Sequence, residues 1–169
     1  MIPPSPIKTE VIVQIDDPSW LQWKQEDEWS SFFEEISNSV FSHFQIECPL
    51  EISVLLTKDD YIKKLNAQYL EKDKPTNVLS FPQISYIELQ NISDFGVPIL
   101  LGDIVMSFET IRKESEEQKK LLMNHIIHLY LHSLLHLLGY DHIEDEDAQK
   151  MESLERHFLQ NLGISNPYH

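Results

Sequence analysis

From Leu121 to Leu138 the chain runs 18 residues with neither proline nor glycine, and Gly139 ends the run. An unbroken apolar segment of this length either spans a membrane or is buried as a helix in a protein core. Four histidines (His125, His128, His132 and His136) and Asn124 interrupt the segment, and acidic residues follow at once. Ionisable groups at that density are too costly in a bilayer, so no membrane span is expected. The remaining solution is a core helix that the rest of the chain must cover. With 169 residues, 41% hydrophobic and 24% charged, there is enough chain for one real core. A single domain over residues 1–169 is the expectation.

The histidines give that helix a chemistry. His132 and His136 are four apart and share a face, so each imidazole can aim a nitrogen at one point. Gly139 readily takes the left-handed conformation that stops a helix. The chain can then fold back and bring His142 to the same point. Three neutral imidazoles with an open fourth position are the ligand set of a catalytic zinc, one ion per chain. A lone histidine in an apolar helix is ordinarily a hydrogen-bonded core residue; three at spacings of four and six, with glycine between, argue for a metal. His128 is the alternative ligand, ranked below His142 because three ligands on one straight helix lie along a line rather than around an ion. The spacing also matches the H-E-x-x-H-x-x-G-x-x-H pattern of metzincin proteases. The protease glutamate is Ser133 here, and a serine cannot take a proton from a metal-bound water, so peptidase activity is disfavoured.

The other segments read as an α+β domain. Lys8–Ile15 alternates as a strand through Thr9, Val11, Val13 and Ile15, stopped by Asp16-Asp-Pro18. Glu26–Phe44 is amphipathic, and its stripe of Trp29, Phe32, Phe33, Ile36, Val40 and Phe44 is core packing. Leu50–Leu56 is a second strand, after which Thr57 is expected to cap a helix running through Ile62, Leu65 and Tyr69. A polar loop, Glu71–Thr76, leads to a short strand, Val78–Phe81. Residues 83–98 read as a loop or lid. A fourth strand, Asp103–Ser107, precedes a helix from Phe108, the histidine helix from about Gln118, and a last helix over Asp145–Leu162. The acidic runs Glu114–Glu117 and Glu144–Glu155 read as solvated helix faces.

The net charge of −15 argues against an open nonspecific nucleic-acid surface, though not against a local cationic groove. The one cysteine, Cys48, excludes an internal disulfide and a disulfide-linked partner is not expected; it suits a reducing cytosol. The N-terminus has neither a basic leader nor an apolar stretch of signal-peptide type, so a cytoplasmic location is expected.

The stretch H-S-L-L-H-L-L-G-Y-D-H over residues 132–142 resembles the H-G-x-L-H-L-x-G-Y-D-H signature of the YbeY family. Two further blocks resemble it as well: Leu65-Asn-Ala-Gln-Tyr69 with Lys74-Pro-Thr-Asn-Val-Leu-Ser-Phe-Pro82, and Leu101-Gly-Asp-Ile-Val105. Together they run from about residue 50 to 165. The resemblance implies a four-stranded mixed sheet with the metal helix against it. It also implies a bacterial metal-dependent endoribonuclease, acting on single-stranded RNA in ribosomal RNA maturation, with the ribosome or its small subunit as partner. Two positions depart from the pattern. Ser133 stands where the family has glycine, and Leu70 where it has an arginine implicated in catalysis.

Phosphodiester cleavage at such a site needs positive charge near the phosphate. Lys72 and Lys74, in the loop beside the second block, can supply it, against the ordinary alternative of solvated surface lysines. Thr76 and Asn77 offer neutral hydrogen bonds to substrate or cap the turn. Asp141 either orients a ligand imidazole, acts as a base, or caps its own turn. A zinc peptidase and a non-catalytic, metal-stabilised ribosome or RNA-binding factor remain as rival functions.

Overall fold

The computed structural model describes residues 9–91, 97–141 and 144–164. In chain order the elements are β1 (Glu10–Ile15), α1 (Glu26–His43), β2 (Leu50–Thr57), α2 (Asp59–Leu70), β3 (Val78–Pro82), α3 (Tyr86–Gln90), β4 (Ile99–Ser107), α4 (Phe108–Glu117), α5 (Leu122–Leu137) and α6 (Asp145–Asn161). The strands form one sheet in the order β1-β2-β4-β3. β1, β2 and β4 are parallel and β3 is antiparallel to β4, so the sheet is mixed and the domain is α+β as expected.

Alternation along the strands divides the sheet into two faces. Val11, Val13, Ile52, Val54, Ile104 and Met106 line one and are all buried. α1 and α5 cover this face. Phe33 of α1 packs on Tyr130 of α5 with ring centroids 4.3 Å apart. The Tyr130 hydroxyl meets Ser37 Oγ at 2.7 Å, and its burial pushes its pKa well up, so this contact is a neutral hydrogen bond. The aromatic stripe of α1 is core, as its spacing predicts. On the opposite face Leu55, Val105, Leu79 and Phe81 meet α2 through Ile62 and Leu65. No helix among the described residues is long and apolar enough to cross a membrane.

Several local expectations are corrected. Thr57 is the buried last residue of β2 and not a helix cap: its carbonyl accepts from Trp20 Nε1, while Lys58 precedes the helix without a side-chain bond. That helix start is held instead by Asp59 Oδ1, which accepts from Ser107 Oγ and Thr110 Oγ1, each at 2.6 Å. Within 83–98 the chain makes the short helix α3, because Ser85 caps it by accepting from Glu88 N. β4 begins at Ile99, four residues before the predicted Asp103, since pairing with β2 carries the strand back past its alternating segment. A 3-10 turn at Pro18–Gln22, capped by Asp17, was not legible beyond the proline stop.

Candidate metal centre

α5 delivers the histidine pair as the spacing requires. His136 Nε2 and His132 Nε2 are 3.0 Å apart, with ring centroids at 4.5 Å and planes at 82°. His132 Nδ1 donates to Glu155 Oε1 at 2.6 Å. That bond fixes the His132 tautomer, leaving Nε2 with a lone pair aimed at His136. Two ring nitrogens facing one another this closely need a proton or a cation between them. Two nitrogen ligands on one tetrahedral zinc stand roughly 3.3 Å apart, from bond lengths of about 2.0–2.1 Å. The pair therefore fits a shared ion. Among the described residues no group of three or more His, Cys, Asp or Glu gathers to hold a metal. The third expected ligand, His142, lies outside the described residues.

α5 ends as Gly139 predicts. Gly139 has φ 98°; its N–H donates to His136 O at 3.0 Å and Tyr140 N to Leu135 O at 3.0 Å. This double bond pattern closes the helix and reverses the chain one turn past His136. Asp141 follows, half-buried. His128 directs Nε2 towards Glu155 Oε2, 3.7 Å away.

Glu155 is the candidate site residue that the sequence pattern does not reveal. It sits in a run of acids that reads as a solvated face, yet it is fully buried on α6 with His132 and His128 on its two oxygens. Only the spacing from Met151 to Phe158 hinted at it, because both neighbours in the apolar stripe of α6 lie one turn away on the same face. A second, half-buried acid corrects the other run. Glu114 accepts from Asn77 Nδ2 at 3.0 Å and pairs with His125 Nε2 at 3.0 Å. Burial raises its pKa, but hydrogen bonds from His125 and Asn77 and the charges of His125 and Lys120 outweigh this and hold it below its ordinary value.

The loop carrying Lys72, Lys74, Thr76 and Asn77 joins α2 to β3. Its backbone is fixed by Asn66, itself only 2% exposed. Asn66 O accepts from the Glu71 and Lys72 N–H groups, and Asn66 Nδ2 donates to Lys74 O at 2.9 Å. Lys72 and Lys74 are exposed and Thr76 half-buried. Asn77 engages its amide with Glu114 and with Val78 N, at the His125 end of α5. His125 lies seven residues, about 10 Å along the axis, before His132. From there β3 runs beside α5 to Pro82, which pairs with Gly102 against Leu137. The structure thus brings His132 and His136 together on α5, and the lysine loop ends in Asn77 at the His125 end of that helix.

The Endoribonuclease YbeY family model matches residues 14–163. An Endoribonuclease YbeY from Sinorhizobium medicae is 42% identical over 154 residues, covering 86% of this chain and 88% of that protein. One from Rhizorhabdus wittichii is 50% identical over 120 residues, 70% of each chain. One from Rhodopseudomonas palustris is 46% identical over 118 residues, 70% of this chain and 60% of the relative's own length. A solution structure of a Thermotoga maritima protein shares the fold, with a TM-score of 0.52 and 21% identity over 91% of each chain. With the family model spanning nearly the whole chain and the histidine pair in place, this chain belongs to the Endoribonuclease YbeY family.

Proposed function

We propose that the chain is a zinc-dependent endoribonuclease that cuts single-stranded RNA in ribosomal RNA maturation and ribosome quality control. The observation that carries this reading is the His132–His136 nitrogen pair, oriented by buried Glu155, in a chain whose relatives are named endoribonucleases. His132, His136 and His142 would hold the ion. A bound zinc supplies electrostatic stabilisation of the phosphate and lowers the pKa of water to about 7. The protein then has three tasks. Glu155 keeps the His132 Nδ1 proton and so keeps Nε2 available. Lys74, with Lys72, brings positive charge to the phosphate from the fixed loop, and Thr76 and Asn77 border that loop with neutral donors. Asp141, next to His142, orients it or takes a proton.

Ser133 supports hydrolysis of RNA over peptides: it stands where the protease pattern carries its glutamate base, and it is fully buried. The ribosome or its small subunit is the proposed partner, and the cytoplasm the proposed location. Elemental analysis of the purified protein, followed by incubation with single-stranded RNA, duplex RNA and casein, tests the reading. One zinc per chain with cleavage of single-stranded RNA alone is the expected outcome. Casein hydrolysis would overturn it in favour of a peptidase. RNA binding without cleavage would favour a metal-stabilised binding factor, the reading suggested by Leu70.

A further inference from the structure

Tyr69 stands at the border of the small core under α2, with its neighbour Phe81 packed against Ile62, Leu79 and Val105. Tyr69, one residue from the end of α2, is 58% exposed. Its ring meets Phe81 with centroids 5.3 Å apart and planes at 64°. That contact fixes the orientation of the phenol ring while more than half of the residue stays in solvent. Phe81 belongs to β3, the last strand of the sheet, on the face opposite α5. Its carbonyl oxygen and Leu137 Cδ2 both abut Gly102, so this strand end borders the turn of α5 that carries His136.

The surroundings indicate what would cover the ring. Lys72 and Lys74 follow within five residues, on the backbone that Asn66 clamps, so ring and ammonium groups leave one helix end on a fixed scaffold. Between Lys58 and Lys74 five lysines stand with four acids (Asp59, Asp60, Glu71 and Asp73), a slightly positive stretch in a chain with net charge −15. Glu71 and Asp73 alternate with the last two lysines, so charge alone grips a polyanion weakly here and an aromatic contact has to add to it. An open ring beside cationic groups is the way proteins bind single-stranded nucleic acid.

We propose that Tyr69, backed by Phe81 and followed in the chain by Lys72 and Lys74, is a stacking subsite for one unpaired base of the RNA strand that reaches the His132–His136 pair. The proposal rests on the RNA reading above and deepens it. The strand crosses the edge at β3, with a base on one face of the sheet and a phosphate on the other. A base in a duplex has no free face to offer, so the subsite selects single strands.

The test is the RNA-concentration dependence of single-turnover cleavage by the zinc-loaded protein, on a short oligo(A) and on the same strand carrying abasic sites. Tyr69→Leu keeps the apolar contact with Phe81 but removes the stack. It should raise the half-saturating concentration about fivefold or more, and the abasic strand should erase that difference. Tyr69→Phe should stay within about twofold of wild type. Tyr69→Lys is the second non-aromatic variant at this exposed position, and it should also lose affinity despite its charge. A wild-type half-saturating concentration in Tyr69→Leu or Tyr69→Lys overturns the subsite, as does an equal loss in Tyr69→Phe. If the wild type neither cleaves the strand nor binds it by fluorescence anisotropy, the RNA reading itself fails and the subsite with it. If the wild type cleaves and only the variants fail to differ, the subsite alone is lost.

Discussion

At the scale of single residues, the proposed metal site rests on His132 and His136, whose Nε2 atoms face each other at 3.0 Å. His125 is on the same helix but is engaged by Glu114. His136→Ala should therefore abolish stoichiometric zinc, and His125→Ala should keep it, as read by elemental analysis after dialysis. Zinc at one per chain in His136→Ala would remove the site. Position 70 makes a second prediction. Leu70 is half-exposed at the end of α2, where the family resemblance implies an arginine. An arginine holds a phosphate through paired, charge-assisted hydrogen bonds, which leucine cannot do. Loss of one transition-state donor typically costs on the order of a hundredfold in rate. If that function is simply missing, Leu70→Arg should raise cleavage clearly and Lys74→Ala change little. If a lysine has taken it over, Lys74→Ala lowers cleavage and Leu70→Arg adds less. Equal single-turnover rates for both variants and the wild type would end any role for position 70.

At the scale of elements, what matters is how closely α5 and β3 approach. Gly102 of β4 makes room for both. A Cβ there would stand 2.5 Å from Leu137 Cδ2 and 2.7 Å from the Phe81 carbonyl oxygen. The backbone oxygen cannot yield cheaply, so Gly102→Ala should cost about 1–3 kcal/mol by overpacking, measured by denaturant unfolding. No loss would mean that the strands part freely. At the other end Glu114 ties α4 to β3 and α5 through Asn77 and His125. Its carboxyl is held below the ordinary value of 4.5. A depressed carboxylate contributes stability in full above its unfolded pKa and loses it as pH falls through the folded value. Melting temperature should thus fall more steeply below about pH 4.5 in the wild type than in Glu114→Gln; equal acid limbs would refute the tie. The elements themselves were legible where hydrophobic period was strong, as in α1, α5 and β2. Glu114 and Glu155 were not, because an acid on a polar helix gives no sign that a histidine from another helix will cover it. Those contacts exist only once α4 and α6 have docked on α5.

At the scale of the whole molecule, the ion would join parts that the sheet alone does not hold. His132 and His136 lie on α5, Glu155 reaches His132 from α6, and His142 belongs to the connection between those helices. The unfolded chain keeps no such arrangement, so binding free energy becomes folding free energy. A ligand present at about 100 times its dissociation constant stabilises the folded state by roughly 2.7 kcal/mol. In a domain of this size each kcal/mol moves the melting temperature by about 2–4 °C. Chelation should therefore lower the melting temperature by roughly 5–10 °C. Restoring zinc should bring it back. His136→Ala should melt near the chelated wild type and ignore the chelator, which separates loss of the ion from any general effect of the reagent. The mixed sheet and its α1–α5 face do not involve the ion, so the chelated protein should remain folded at room temperature, with its loss of protection from hydrogen exchange confined to the end of α5 and to α6. A wild type whose melting temperature stays fixed, with zinc removal verified by elemental analysis, would mean that the histidine pair holds its ion without binding α5 to α6.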